Sequence, residues 1–265
     1  MLIDINTYVG HWPFRKVGNG TADELIKVMD DSGIDMAAVS SINAIFYKDS
    51  QQGNDELIGQ IDRYKERFIP FAIINPSYTG WKKDFEDCIG KMGMKGLELY
   101  PYYHQYRLTD SNAVELVRMA AERSIAVHLP CSVVNIRQRH WLDTTENLSV
   151  QEVEEVVRLC PDTDFIITNG PVLRMAGCLE KAAGSRKGRI YYDFARVDIF
   201  STDFTALIES VGADRVVFGS VAPMQYIAPQ LVKLHYSGLN DIEQEKVMSG
   251  NLKQLFGLCC GRSSH

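Results

Sequence analysis

His128 is the residue of this chain whose type and position most directly suggest catalysis. It lies in the apolar run Ala126-Val-His-Leu-Pro130, and an imidazole that titrates near working pH can act as a general acid or base. The competing interpretation is a histidine at the edge of the core that only hydrogen-bonds a neighbour. Its place at the end of a predicted strand favours the catalytic role.

Asp193 and Arg196 form a second candidate pair, in the segment Tyr191-Tyr-Asp-Phe-Ala-Arg196. Asp193 would orient a catalytic group, and the planar guanidinium of Arg196 would hold a substrate carboxylate. A salt bridge between the two at the rim of the fold is an equally good interpretation of the sequence, so both stay open.

Asn6 and Tyr8 alternate at the end of the first apolar run, just before Gly10. Residues two apart in a strand point to the same face, so this amide and this phenol are expected to project together. Asn169 follows a later apolar run in the same way. We predict that all three hydrogen-bond a substrate.

The segment Arg137-Gln-Arg139-His140-Trp141 is the one basic stretch in an otherwise acidic chain. Most such stretches are solvated loops. The functional hypothesis is a lid in which Arg139 and His140 attract an anionic substrate.

Strands alternating with helices must position these residues. Eight apolar runs that are typical of buried parallel strands are predicted at 2–6, 36–40, 68–74, 95–99, 125–129, 164–168, 189–194 and 215–218. Helices are predicted between them, two of which begin with capping boxes at Thr21 and Ser149. The count of eight favours a single (β/α)8 TIM barrel over an open α/β sheet, with an extra C-terminal helix at 241–256. One domain over 1–258 and a frayed tail over 259–265 are expected.

Barrel active sites lie at the C-terminal ends of the strands. The polar residues predicted there are Asn6, Tyr8, Ser40, Asn43, Asn75, Glu98, Tyr100, His128, Asn169, Asp193, Arg196 and Ser220. This set is rich in amides and hydroxyls and has a single imidazole.

Composition excludes several classes of function. The net charge of −6 over 265 residues disfavours binding to nucleic acid or to an anionic membrane, and no apolar run is long enough to span a bilayer. The six cysteines form no CxxC pair, which suits reduced thiols in a cytoplasmic protein. A small, anionic substrate is the expected partner, and homo-oligomer formation stays open.

Several stretches together resemble the amidohydrolase-related family of the metal-dependent hydrolase superfamily. They are Ile3-Asp-Ile-Asn-Thr-Tyr-Val-Gly10, Gly96-Leu-Glu-Leu-Tyr-Pro101, Val127-His-Leu129, Asp164-Phe-Ile-Ile-Thr-Asn-Gly170, Asp214-Arg-Val-Val-Phe-Gly-Ser-Val-Ala-Pro223 and Gly250-Asn-Leu-Lys-Gln-Leu-Phe-Gly257. The resemblance implies a TIM barrel with one catalytic metal, usually zinc. It also implies hydrolysis of amides, lactones or esters, or non-oxidative decarboxylation.

The chain departs from the family at most metal-ligand positions. The His-x-His pair of the family is replaced by Asn6 and Tyr8, the strand-six histidine by Asn169, and the strand-eight aspartate by Val221. Only His128 remains. Catalytic zinc needs about three protein ligands drawn from histidine, cysteine or carboxylate, so no metal and no other cofactor is predicted.

Three hypotheses follow. The first is a metal-free hydrolase, or a related lyase or decarboxylase, with His128 and Asp193 as catalytic residues and a carboxylate-bearing substrate. The second is an inactive family member that binds a small ligand or a partner protein. The third is a metal enzyme with relocated ligands drawn from His11, Glu98, His104, His140 and Asp193.

Overall fold

The computed structural model describes residues 1–182, 184, 186–197 and 203–258, and it confirms the predicted (β/α)8 barrel with its extra C-terminal helix. Parallel strands follow one another around the sheet in chain order. They are β1 Ile3–Val9, β2 Met36–Ser41, β3 Phe68–Ile73, β4 Gly96–Glu98, β5 Ala126–Pro130, β6 Phe165–Thr168, β7 Ile190–Asp193 and β8 Val216–Val217. The tail predicted at 259–265 lies outside the described residues.

Helices join the strands and cover the outside of the barrel. They are α1 Ala22–Asp31, α2 Ile42–Phe46, α3 Ser50–Ile61, α4 Trp81–Glu86, α5 Ser111–Glu122, α6 Val150–Leu159, α7 Val172–Ala182, α8 Asp203–Val211, α9 Ala228–His235, α10 Asp241–Glu245 and α11 Asn251–Phe256. Short π-helical segments at Asp87–Lys91 and Lys246–Gly250 extend α4 and join α10 to α11. None of the described helices is long and apolar enough to cross a bilayer.

The helix starts show where the predicted capping was right. The capping box at Thr21 is complete, since its side chain accepts from Glu24 N and the Glu24 carboxylate accepts from Thr21 N. Ser149 caps α6, but the Glu152 carboxylate accepts instead from the Tyr102 hydroxyl and from Leu108 N. The second capping box is therefore only half formed, because Glu152 has tertiary partners.

β1 closes the barrel against the segment that follows β8. Ile5 N donates to Phe218 O at 2.9 Å, and Val221 N donates to Asn6 O at 2.9 Å. The register of β1 against β2 shifts between Asp4 and Thr7, and such a bulge redirects the side chains beyond it. The strand thus changes its side-chain alternation just before the residues that reach the barrel mouth.

Three layers fill the inside of the barrel. The first is an apolar cluster that includes Ile3, Ile5, Phe71, Tyr191 and, from α11, Leu252. Buried polar side chains from the ends of the strands come next along the barrel. A second apolar cluster, described below, covers them. A filled barrel interior of this kind is a packed core and not a pore.

Candidate active site

Asn6, Asn169 and Asp193 form one hydrogen-bonded group at the C-terminal ends of β1, β6 and β7. Asn6 Nδ2 donates to Asn169 Oδ1 at 3.0 Å and to Asp193 Oδ2 at 3.4 Å. Asn169 N donates to Asp193 Oδ1 at 3.3 Å. Asn169 adopts a φ of 58°, a left-handed conformation that asparagine tolerates better than most residues. The barrel therefore brings together three residues that are far apart in sequence.

His128 belongs to an adjoining group centred on Glu98. His128 Nδ1 lies 3.4 Å from Glu98 Oε1, and His128 Nε2 lies 2.7 Å from Thr168 Oγ1. The hydroxyl of Tyr100 donates to Glu98 Oε1, as does that of Tyr8 at 3.4 Å. The Tyr8 hydroxyl is thus already engaged with a carboxylate.

Thr168 and Glu98 have roles in this group that the sequence does not reveal. Thr168 ends β6, two residues after Ile166, which pairs in register with His128. Its hydroxyl is on the same face of β6 as Ile166, and that alternation is the one signal that could have identified it. Glu98 was expected at a strand end, but its place as the shared acceptor of two phenols, with the His128 imidazole 3.4 Å away, depends on tertiary packing.

Burial raises the pKa of two carboxyl groups near this site, those of Asp193 and Asp4. It raises the pKa of Asp193 to about 6, against the opposing effects of the Asn6 hydrogen bond and of nearby His128. It also raises the pKa of Asp4 to about 7, although Asp4 Oδ1 accepts from Asn6 N and Ser220 N. Asp193 is therefore positioned to gain and lose a proton close to neutral pH.

Three further ionisable groups in the mouth stay protonated. Burial, together with the charge of Glu98, raises the pKa of Tyr8 and of Tyr100 well above the ordinary value. Burial raises the pKa of the Cys131 thiol to about 12. Cys131 is therefore not an activated nucleophile.

Arg196 carries donor groups that no described residue uses. Its Nε and Nη2 are buried and have no hydrogen-bond partner. Burial lowers the pKa of Arg196, while nearby Asp193 and Tyr8 raise it and nearby Arg139 lowers it. The two described side chains Arg196 and Asp193 form no ion pair within 4 Å, so the predicted rim salt bridge is not seen.

The loop after β5 places Arg139 and His140 close to this mouth. Arg139 Nη1 donates to Thr145 O, its Nη2 donates to Asn147 Oδ1, and its Nε lies 3.9 Å from Asp143 Oδ2. His140 stacks on Phe14 at 5.9 Å between ring centroids. These contacts lie within the loop or against the loop after β1, and substrate binding by either residue stays a prediction.

An aromatic cap covers the polar groups. It consists of Trp12, Phe14, Phe46 and Tyr103, whose rings meet edge to face at 5.2 to 6.5 Å, and it packs with apolar neighbours that include Val133, Val221 and Met224. Beneath it, Asn6 and His128 are each 1% exposed, and Tyr8 and Asp193 are 0% exposed. Among the described residues, these four side chains are therefore closed off from solvent.

The residues at the family's metal-ligand positions do not fit zinc. Tyr8 donates to Glu98, Asn169 accepts from Asn6, and Val221 packs in the apolar cluster. No group of three or more histidine, cysteine, aspartate or glutamate side chains suited to a metal occurs among the described residues. An amide, a phenol and a valine therefore stand where zinc would need imidazole or carboxylate ligands.

The relocated ligands proposed from the sequence do not converge either. His104 Nε2 contacts Ile45 O at 3.1 Å, and burial lowers the pKa of His104 to about 4. His11 is exposed. Neither is placed with Glu98 and Asp193 in a metal-binding group within the described part of the chain.

The fold agrees with comparisons against known proteins. The amidohydrolase family model Amidohydro_2 matches residues 9–258, and the chain therefore belongs to this amidohydrolase family. A search of the curated proteins finds no match.

Solved structures share the whole barrel at low sequence identity. A provisional amidohydrolase from Staphylococcus aureus is 18% identical, with a TM-score of 0.75 and coverage of 97% of this chain and 99% of that one. A 2,6-dihydroxybenzoate decarboxylase from Rhizobium is 14% identical, with a TM-score of 0.72 and coverage of 97% and 98%. A dihydroxybenzoic acid decarboxylase from Polaromonas, with bound manganese and 2-nitroresorcinol, is 15% identical, with a TM-score of 0.73 and coverage of 97% of both chains. At these identities the likeness establishes the fold alone.

Proposed function

We propose that this chain is an amidohydrolase-family enzyme that acts on a small carboxylate-bearing substrate without the family's metal. The reaction is a decarboxylation or a hydrolysis. The observation that carries the proposal is Arg196, whose buried Nε and Nη2 have no hydrogen-bond partner among the described residues and which lies near Asp193. Guanidinium donors held in this way suit a carboxylate, which accepts two parallel hydrogen bonds.

Decarboxylation requires less of these residues than hydrolysis does. The bond from carbon to the carboxylate breaks, its electron pair stays on the carbon, and that carbon must then take a proton. Asp193, with a pKa of about 6, holds such a proton part of the time near neutral pH. Hydrolysis would additionally need an activated water, and His128 is the imidazole beneath the aromatic cap that could accept its proton.

The burial of the site and the structural neighbours also support decarboxylation. Asn6, His128 and Asp193 are each at most 1% exposed, and electrostatic interactions strengthen in a site from which water is removed. The structural neighbours named as decarboxylases of dihydroxybenzoates supply the substrate class to try first.

An inactive ligand-binding protein is the second candidate. It is favoured by Val221, which is fully buried and apolar at the position where the family resemblance implies an aspartate. In this case Arg196 would still bind a carboxylate, and no bond would be broken.

The discriminating experiment follows product formation from 2,6-dihydroxybenzoate, 5-carboxyvanillate and a panel of small lactones. It compares the wild type, with and without a chelator, with His128→Ala, Asp193→Asn and an exposed control, Asp162→Asn. Turnover that survives chelation and falls at least about 100-fold in Asp193→Asn supports the metal-free enzyme. Saturable binding without product after long incubation supports the inactive protein. Turnover that is abolished by chelation and restored by manganese would overturn the metal-free proposal.

A further inference from the structure

A cavity lies at the rim of the barrel, outside the aromatic cap. Its volume is about 890 Å3, and it is bounded by the loop after β1, the loop after β5, the loop after β8 and the start of α9. We call it the rim groove. Its volume falls within the range of roughly 300–1,000 Å3 that small-molecule sites occupy.

The described residues at one end of the rim groove are positively charged, although the chain as a whole is acidic. Arg15 and Lys16 line that end, and none of the described lining residues is an aspartate or a glutamate. Arg15 Nη2 donates to Met224 O at 3.0 Å. This neutral carbonyl fixes the guanidinium in place without cancelling its charge, so the groove attracts anions at the end that Arg15 and Lys16 form.

A buried amide in the rim groove supplies an independent indication of a ligand. Gln230 lines the groove and is only 2% exposed, yet its Oε1 has no hydrogen-bond partner among the described residues. Leaving a buried acceptor unpaired costs about 1–3 kcal/mol. A ligand with a hydroxyl or amide donor would satisfy it.

We propose that the rim groove binds a small anion that also carries a hydrogen-bond donor. The anionic part, a phosphate or a carboxylate, faces Arg15 and Lys16, and the donor faces Gln230 Oε1. This site is separate from the carboxylate site at Arg196, and it does not depend on the proposed reaction.

Calorimetry of the full chain tests the proposal with four probes. Glycerol 3-phosphate and gluconate each combine an anion with hydroxyl donors, inorganic phosphate supplies the anion alone, and glycerol supplies donors alone. At least one of the first two is expected to bind more tightly than both of the others, and which of them binds identifies the anion.

Single substitutions test whether the probes bind in the rim groove. Gln230→Glu, which places a carboxylate against the ligand, and Lys16→Gln, at an exposed position, are each expected to weaken binding at least about three- to five-fold. Lys187→Gln, a distant exposed control, and Arg196→Gln should bind as the wild type does. The proposal is overturned if no probe binds, if glycerol binds as well as the anions, or if Lys16→Gln has no effect. It is also overturned if Arg196→Gln abolishes binding, because the site would then be the barrel mouth.

Discussion

Glu98 Oε1 lies 3.4 Å from His128 Nδ1, and both side chains are almost completely buried. The same carboxylate accepts from the Tyr8 and Tyr100 hydroxyls. Glu98 is therefore the point at which β1, β4 and β5 are joined through side chains in the barrel mouth.

Removal of this carboxylate should destabilise the fold. Glu98→Ala leaves two buried phenols without their acceptor and removes the carboxylate beside the His128 imidazole, so the free energy of unfolding should fall by about 3 kcal/mol. Glu98→Gln keeps one acceptor oxygen, so its free energy of unfolding should fall by less. Urea denaturation measures both, with the half-exposed Glu86→Ala as the control. Equal stability of Glu98→Ala and the wild type would contradict this account of the network.

Asp4 should make stability depend on pH. Burial raises its pKa to about 7, so between about pH 4 and pH 7 the folded chain binds more protons than the unfolded chain. The free energy of unfolding therefore falls as pH rises through that window. Asp4→Asn retains the Oδ1 acceptor and removes this titration, so it should be more stable than the wild type at pH 8, by on the order of 2 kcal/mol.

Denaturation at pH 5 and pH 8 measures this difference. Asp62→Asn, at an exposed position, is the control. The burial-raised pKa of Asp193 has the same sign, so some slope should persist in Asp4→Asn. An unchanged slope in that variant would show that Asp4 does not titrate in the folded chain within this range.

Arg196 should determine the affinity for carboxylates. Arg196→Met is expected to weaken the binding of 2,6-dihydroxybenzoate at least about ten-fold, since a charge-assisted bidentate pair contributes roughly 1.5–3 kcal/mol. Arg196→Lys keeps the positive charge but not the planar pair of guanidinium donors, so it should recover only part of the lost affinity. Arg137→Gln removes an exposed charge from the nearby loop and serves as the control in calorimetry. If Arg137→Gln and Arg196→Met lose the same affinity, the effect is one of general charge.

The purified protein should hold little transition metal. Because amides, a phenol and a valine replace the family's ligands, protein purified without chelators should contain less than ~0.1 equivalent of zinc or manganese per chain. Elemental analysis measures this directly. One equivalent of either metal, retained through gel filtration, would favour relocated ligands.

The barrel was predictable from the sequence, because each strand is a short apolar run and each gap is long enough for a helix. The helices that begin after the predicted caps Thr21 and Ser149 were also found, as α1 and α6. The helix α2 was missed because it is only five residues long and begins with a single Ser41 cap. Short helices leave too weak a periodicity to detect.

The arrangement of the site was only partly predictable. Alternation placed Asn6 and Tyr8 at a strand end, but their partners, Asp193 for one and Glu98 for the other, come from strands far along the chain. The aromatic cap joins Trp12 from the loop after β1, Phe46 from α2 and Tyr103 from the loop after β4. Contacts of this kind are set by tertiary packing and leave no periodic pattern in the sequence.

The position of Trp12 in the aromatic cap gives the protein a built-in optical reporter. Trp12 is 2% exposed, whereas Trp141 in the loop after β5 is 79% exposed. A ligand that displaces the aromatic cap would disturb Trp12, so the emission of Trp12 and its protection from acrylamide quenching should change as the cap opens. If that opening is slow, the observed binding rate will level off at high ligand concentration, and the plateau will be the opening rate itself.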